Sequence, residues 1–137
     1  MLQLLSKLEP IARNAMRVMV GLLFWSHGGQ KLFAWFGRDE AVDLMSRFGI
    51  AGVLEFFGGL AIILGIFTQP VAFILSGEMA VAYFWGHVPR GSLWWWANRG
   101  ELAALYCFIF LFIASSGGGK FSLDHLLRKK KQGRTEQ

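Results

Sequence analysis

The sequence predicts an all-α, four-helix transmembrane bundle with a short N-terminal interfacial helix and a short C-terminal helix, and three observations lead there. Hydrophobic residues make up 54% of the chain and charged residues 17%, with a mean hydropathy of +0.42. The apolar residues fall in long blocks, where a water-facing helix would interrupt them with charge at every turn. Four such blocks occur, each close to the ~20 residues that a bilayer core requires. No repeat of fixed period and no second composition are visible, so residues 1–137 read as one integral-membrane domain.

Met1 to Glu9 alternates Leu2, Leu4, Leu5 and Leu8 with Gln3, Ser6, Lys7 and Glu9, the pattern of a short amphipathic helix lying on the membrane surface. A signal peptide is not expected, because the apolar core runs straight into Ser26 and His27 and offers no small-residue cleavage site. The first span is expected over about 15–36. Gly37 to Gly49 is a polar connection carrying Arg38, Asp39, Glu40, Asp43 and Arg47, with room for a helical turn. The second span covers about 50–67, and its Gly58, Gly59, Ala61 and Gly65 suit close helix packing. Thr68-Gln69-Pro70 is a tight turn with Pro70 in the first turn of the next helix. The third span runs over about 71–88, until Pro89-Arg90-Gly91-Ser92 breaks it. Trp94, Trp95 and Trp96 then mark an interfacial belt. The fourth span covers about 101–116. After the small-residue loop 115–119, Ser122 is placed to cap a final short helix through Leu127, followed by a basic tail within 120–137.

The net charge of +5 does not point to nucleic acid. Six of the fourteen Lys and Arg residues (Lys120, Arg128, Lys129, Lys130, Lys131 and Arg134) follow the last apolar block, where they read as a topology signal and a contact with anionic lipid. Lys7, Arg13 and Arg17 add to the same side, whereas the two opposite loops hold only Arg38, Arg47, Arg90 and Arg99. Both termini are therefore expected in the cytoplasm of a bacterial-type inner membrane. The single cysteine, Cys107, excludes an intrachain disulfide and a CxxC redox pair.

Within these spans, Phe24 to Phe33 carries the polar group of greatest interest. His27 and Lys31, four residues apart, share one helix face inside an apolar block. Ionisable groups in such a segment need partners and default to functional sites. Glu55, Glu78, His87 and Glu101 supply them. At about 1.5 Å per residue, Lys31 and Glu55 both lie roughly 7 to 8 Å below the outer ends of their spans, and His27 and Glu78 roughly 13 Å down. His87 and Glu101 sit at the outer ends of the last two spans. The polar groups thus gather in the outer leaflet, with Lys31–Glu55 and His27–Glu78 as the expected pairs. A purely structural reading, in which these pairs fix helix register, stands beside the functional one. Gly28 and Gly29 would let a neighbouring backbone or a flat ligand approach, and Gln30, His87, Asn98 and Glu101 complete the candidate ligand contacts. For Glu101 next to Asn98 and Arg99, helix capping at the interface is an equal reading.

Several chemistries can be weighed on these residues. His27 and His87 invite bis-histidine haem, but their depths differ and both lie near carboxylates, which argues against it. A metal site is disfavoured too, because the Glu-x-x-His pairing of di-metal bundles is missing and Lys31 competes as a cation. No nucleophile motif, phosphate loop or nucleotide fingerprint occurs. A charged, aromatic-lined site open to the outer leaflet suits a flat amphipathic redox ligand such as a quinone, with His27, Lys31, Glu55 and Glu78 as the candidate catalytic groups. A small-solute or proton-linked transporter and a non-catalytic scaffold subunit are the rival readings. Besides the bilayer, other membrane or redox proteins and a second copy of the chain are the candidate partners.

At these same stretches the sequence resembles the DoxX family of small membrane proteins. The resemblance is carried by Phe24 to Phe33 with its His-Gly-Gly-Gln-Lys core and by Val53-Leu54-Glu55-Phe56-Phe57-Gly58-Gly59 continuing to Gly65. It continues through Glu78 to Phe84 with His87, Asn98-Arg99-Gly100-Glu101-Leu102, and Gly117 to Asp124. The resemblance implies a four-span inner-membrane protein and a link to thiosulfate:quinone oxidoreduction or oxidative-stress assemblies, hence an oxidoreductase subunit. Gly117-Gly118-Gly119-Lys120 departs from the pattern, which leads one to expect a proline and fewer basic groups there. That departure lies at the cytoplasmic edge, away from the outer cluster.

Overall fold

The computed structural model describes residues 2–135; Met1, Glu136 and Gln137 lie outside the described residues, as do the side chains of Leu2, Gln3, Leu4, Arg134 and Thr135. Six α-helices and no strand occur among the described residues: α1 (Leu2–Phe33), α2 (Arg47–Leu64), α3 (Thr68–Val81), α4 (Trp95–Asn98), α5 (Glu101–Ser116) and α6 (Leu123–Thr135). Two segments, Arg47–Leu64 and Thr68–Arg90, are long and apolar enough to cross a membrane, and Glu101–Ser116 is a shorter apolar helix.

The expected surface helix and first span are one continuous helix. Pro10 lies inside α1, but no glycine or turn residue precedes Asn14 to stop it. The amphipathic start therefore propagates straight into the apolar block. At its other end α1 stops at Phe33, short of Phe36. Ala34 and Phe36 take positive φ values of 54° and 55°, and the chain folds back so that Trp35 N–H donates to the Gly29 carbonyl at 3.4 Å. No regular helical turn forms in the loop that follows before Arg47. Ser46 caps α2 by accepting the Gly49 N–H at 3.0 Å, so this helix begins ahead of its expected start. Gly65 ends it in the left-handed conformation at φ 68°.

Helix α3 begins at Thr68, with Pro70 in its first turn as expected. It continues as a π-helical stretch, Ala82–His87, and a 3-10 turn, Val88–Arg90. The short helix α4 carries Trp95 and Trp96 and follows directly on Trp94; Trp94 and Trp96 stack at 5.0 Å and are exposed. Helix α5 keeps its expected bounds. Ser122 caps α6 through the His125 N–H at 3.3 Å, but α6 runs far beyond Leu127 and takes in the basic run that reads as a tail.

The four long helices alternate in direction about one core. Phe24 of α1, Ile62 of α2, Ala72 and Leu75 of α3, and Phe110 and Ile113 of α5 are all buried there. Phe24 meets Tyr106 and Phe110 edge-on, at 5.2 and 4.7 Å. One end of the bundle carries the α2–α3 turn and the α5–α6 loop; the other carries the α1–α2 loop and the tryptophans.

Helices α1 and α2 approach closely because glycine faces backbone. A Cβ on Gly28 would lie 2.3 Å from the Phe56 nitrogen, and one on Gly59 would lie 2.5 Å from the Trp25 nitrogen. Gly77 on α3, by contrast, faces open space. Gly28→Ala is therefore expected to destabilise by about 1–3 kcal/mol, since backbone cannot yield as a side chain can. Gly77→Ala should be neutral or stabilising by up to ~1 kcal/mol. Thermal unfolding of both variants in detergent checks this; equal midpoints would refute the close-approach account.

Candidate functional site

The last turn of α1 and the middle of α2 bring Lys31 and Glu55 into a direct ion pair, with Nζ to Oε1 at 2.5 Å. Glycine makes the pair reachable: the Lys31 stem lies over Gly52, whose added Cβ would come within 3.0 Å of the Lys31 Cβ. Gly52 stands one turn before Glu55 on the same helix face. Glu55 is 3% exposed, so its charge depends on this partner. Its other oxygen, Oε2, is buried without a hydrogen bond.

Two further groups surround the pair. His27, one turn below Lys31, packs edge-on to Tyr106 with ring centroids 6.4 Å apart and interacts electrostatically with Glu55. Glu78 reaches in from α3, close enough to interact electrostatically with both Glu55 and Lys31. Both Glu78 oxygens are buried and neither has a hydrogen-bond partner. The expected His27–Glu78 pair is thus not a direct contact, because His27 leans on α5. One cation stands among two carboxylates. Glu78, through both oxygens, and Glu55, through Oε2, are left with hydrogen-bonding capacity to offer a proton or a ligand O–H.

The glycines beside His27 are filled by the chain itself. The Phe56 backbone covers Gly28, and the Trp35 ring, folded back by the positive-φ turn, covers Gly29. Trp35 also packs on Trp25, Phe33 and Phe56, so an aromatic wall closes this side of the site. Gln30 is half-buried next to it.

His87, Asn98 and Glu101 lie apart from the ion pair. Asn98 is 1% exposed and fully engaged: Nδ2 donates to the Ser92 carbonyl at 3.0 Å, and Oδ1 accepts the Gly100 N–H at 2.7 Å. The Asn98 carbonyl lies 3.2 Å from His87 Nδ1, at the end of the π-helical stretch. Tyr83 donates its hydroxyl to the Leu93 carbonyl at 2.5 Å. These residues tie the tryptophan loop to α3. Glu101 is exposed in the first turn of α5, the capping position.

At the opposite end the structure reveals a polar cluster that pattern reading registers only as charge. Arg17 is 2% exposed, and its Nη1 donates to the carbonyls of Ile62 and Ile63 at 2.5 and 2.6 Å, in the last turn of α2. Its Nη2 reaches the Phe121 carbonyl at 3.1 Å. Asp124 performs the converse task, accepting the N–H groups of Phe67 and Thr68 at 2.9 and 2.8 Å where α3 begins. Burial alone would raise the Asp124 pKa; these donors and the charge of Arg128 outweigh it and hold the carboxyl below the usual aspartate value. Two charged side chains thus satisfy the helix ends on either side of one turn. The available signal is an arginine inside an apolar run, one turn from Asn14.

An all-α chain with apolar helices of spanning length and a buried ion pair between two of its helices is a small membrane protein. A sequence model described as DoxX matches residues 12–88, and the chain belongs to that family. It is 42% identical over 133 residues to an uncharacterized protein of Haemophilus influenzae (strain ATCC 51907 / DSM 11121 / KW20 / Rd), covering 92% of this chain and 98% of that one. It is 28% identical over 141 residues to the inner membrane protein YqjF of Escherichia coli (strain K12), covering 92% of this chain and 99% of that protein. No solved structure matches the chain.

The ion pair makes a double-mutant test possible. Lys31→Met or Glu55→Gln alone should lower folded yield and stability, since breaking a buried pair typically costs ~3–5 kcal/mol. Lys31→Met combined with Glu55→Leu should recover much of that loss. A double variant as unstable as the sum of the singles would mean that the two side chains are not energetically coupled.

Proposed function

We propose that this chain is a four-span inner-membrane protein, with both termini cytoplasmic, that exchanges protons with a flat, membrane-soluble redox ligand of the quinone type. It acts as the membrane subunit of a quinone- or thiol-linked redox system. The observation that carries this reading is Glu78: two carboxylate oxygens, buried and unpartnered, next to the Lys31–Glu55 pair. A carboxylate kept only for helix register would be expected to have its partner within the chain. Here the open capacity is turned toward a cluster whose other members are an imidazole, an ammonium and a second carboxylate. Quinone oxygens accept and release protons as the ring is reduced and reoxidised, and Glu78 and His27 are the groups suited to exchange them. The aromatic wall of Trp25, Trp35 and Phe56 offers flat apolar surface alongside. The relationship to YqjF, whose name gives an inner-membrane location, supports the compartment.

The orientation rests on the excess of Lys and Arg at the chain ends over the two opposite loops. A single cysteine introduced at Ser92, in a Cys107→Ala background, should react with a membrane-impermeant thiol reagent on intact spheroplasts. One introduced at Thr135 should react only after lysis. Labelling in the reverse order would invert the topology.

His27→Asn and Glu78→Gln keep size and hydrogen-bonding ability while removing the exchangeable proton. Both variants should remain folded and lose binding of a quinone analogue. The measurement sets thermal stability in detergent beside analogue binding for each. Unchanged binding in both, with lowered stability, would reject the redox site and leave a structural subunit.

A further inference from the structure

At the end of the bundle opposite the ion pair, a cleft of about 200 Å³ opens between α1 at Arg13, the first turn of α3 at Gln69, the α5–α6 loop and the first turns of α6. Three elements each send one cation to it: Arg13 from α1, Lys120 from the loop and Arg128 from α6, with His125 beside them. Asp124 is the one carboxylate in the lining, and its oxygens are taken by the Phe67 and Thr68 N–H groups. Glu9 pairs with Arg13 at 3.3 Å from outside the cleft lining. The glycine loop 117–119 lines the cleft, with Gly118 packed against Thr68 and Ser122 and Gly119 against Asn14, so that Gly117 is the position with the most room beside it. Gly117 and Gly119 both hold φ 77°, a conformation that favours glycine and fixes the loop's shape. Ser116 lines the same cleft with a buried hydroxyl that has no hydrogen-bond partner. The 13-residue helix α6 begins here, adding the positive end of its dipole.

We propose that this cleft is a binding site for a phosphate group, held by Arg13, Lys120 and Arg128 against the glycine loop. The volume exceeds several times the ~30 Å³ that one water occupies, room for a tetrahedral anion and part of what it is attached to. Guanidinium groups recognise phosphate in forked geometry, and an ammonium completes the charge. The site differs from diffuse attraction between a basic tail and anionic lipid, because Lys129, Lys130 and Lys131 follow in the same helix yet do not line the cleft. A phosphodiester of an anionic lipid headgroup and a free phosphate share this chemistry.

The test uses the full chain in nanodiscs and two variants of equal charge. Lys120→Gln with Arg128→Gln alters the cleft; Lys129→Gln with Lys130→Gln alters only the exposed run. In the first arm, phosphatidylcholine discs are compared with discs also containing phosphatidylglycerol, by thermal midpoint and by lipid retained in native mass spectrometry. In the second, inorganic phosphate is titrated against chloride at matched ionic strength in phosphatidylcholine discs. The wild type and the exposed-run variant should respond alike, and the cleft variant should bind about tenfold more weakly or worse. Lys120→Arg with Arg128→Lys, which keeps both charges, should retain much of the response and exclude a folding defect. A response confined to phosphatidylglycerol assigns the site to a lipid headgroup; one to inorganic phosphate assigns it to a free phosphate. Equal losses in the cleft and exposed-run variants, or no loss in either, would overturn the proposal.

Discussion

The structure depends on how near α1 and α2 lie to one another. Gly28 and Gly59 allow main chain to meet main chain along this contact, with Gly52 under Lys31 continuing it. Only at that separation do the buried Arg17 and the half-buried Lys31 of α1 find their partners on α2. Lys31 reaches Glu55 at one end, and Arg17 reaches the carbonyls of Ile62 and Ile63 at the other. A wider spacing would strand both cations in apolar surroundings, where an unpaired charge is costly. Packing by small residues and placement of charge are thus one constraint met at two levels of the same interface.

The two ends of the bundle treat their polar groups differently. Around the α2–α3 turn, buried charge meets main-chain groups that need it: Arg17 takes carbonyls and Asp124 takes N–H groups. Around Lys31, charge meets charge, and the accounting stays open at Glu78 and at Glu55 Oε2. Buried polar atoms are nearly always satisfied in folded proteins, so Glu78 and Glu55 Oε2 at this end, like Thr68 Oγ1 and Ser116 Oγ at the other, mark where hydrogen-bonding capacity is left for a ligand. The α3 helix links the two ends, with Thr68 at one and Glu78 toward the other, before it loosens into the π-helical stretch that carries His87. Such stretches are frequent at functional sites.

Much of the candidate site can be read from the sequence because depth along a helix follows from residue count. Lys31 and Glu55 match in depth, and they pair. Depth carries no information about rotation about the helix axis, so His27 and Glu78, counted to one level, need not form the expected pair. The continuity of α1 is hidden by the change from an amphipathic to an apolar pattern near Pro10, a change in environment that is not a change in backbone. The turn at Ala34 and Phe36 is equally hidden, since positive φ at alanine and phenylalanine has no local signature. Arg17 and Asp124 are visible as charges, but their caps join positions far apart in the chain. The extent of α6 is concealed by its composition, because a run of lysines reads as solvated tail whether or not it is helical.

The reach of Asp124 back to Phe67, 57 residues earlier, has a meaning for how the molecule is made. The N-terminus of α3 leaves the ribosome well before the carboxylate that satisfies it, as does the end of α2 before Phe121 closes over Arg17. Until then the α2–α3 turn must find its hydrogen bonds in water or headgroups. Closure by the α5–α6 loop is therefore a final step in assembly. It completes the hydrogen bonds of the α2–α3 turn only once Phe121 and Asp124 have been synthesised.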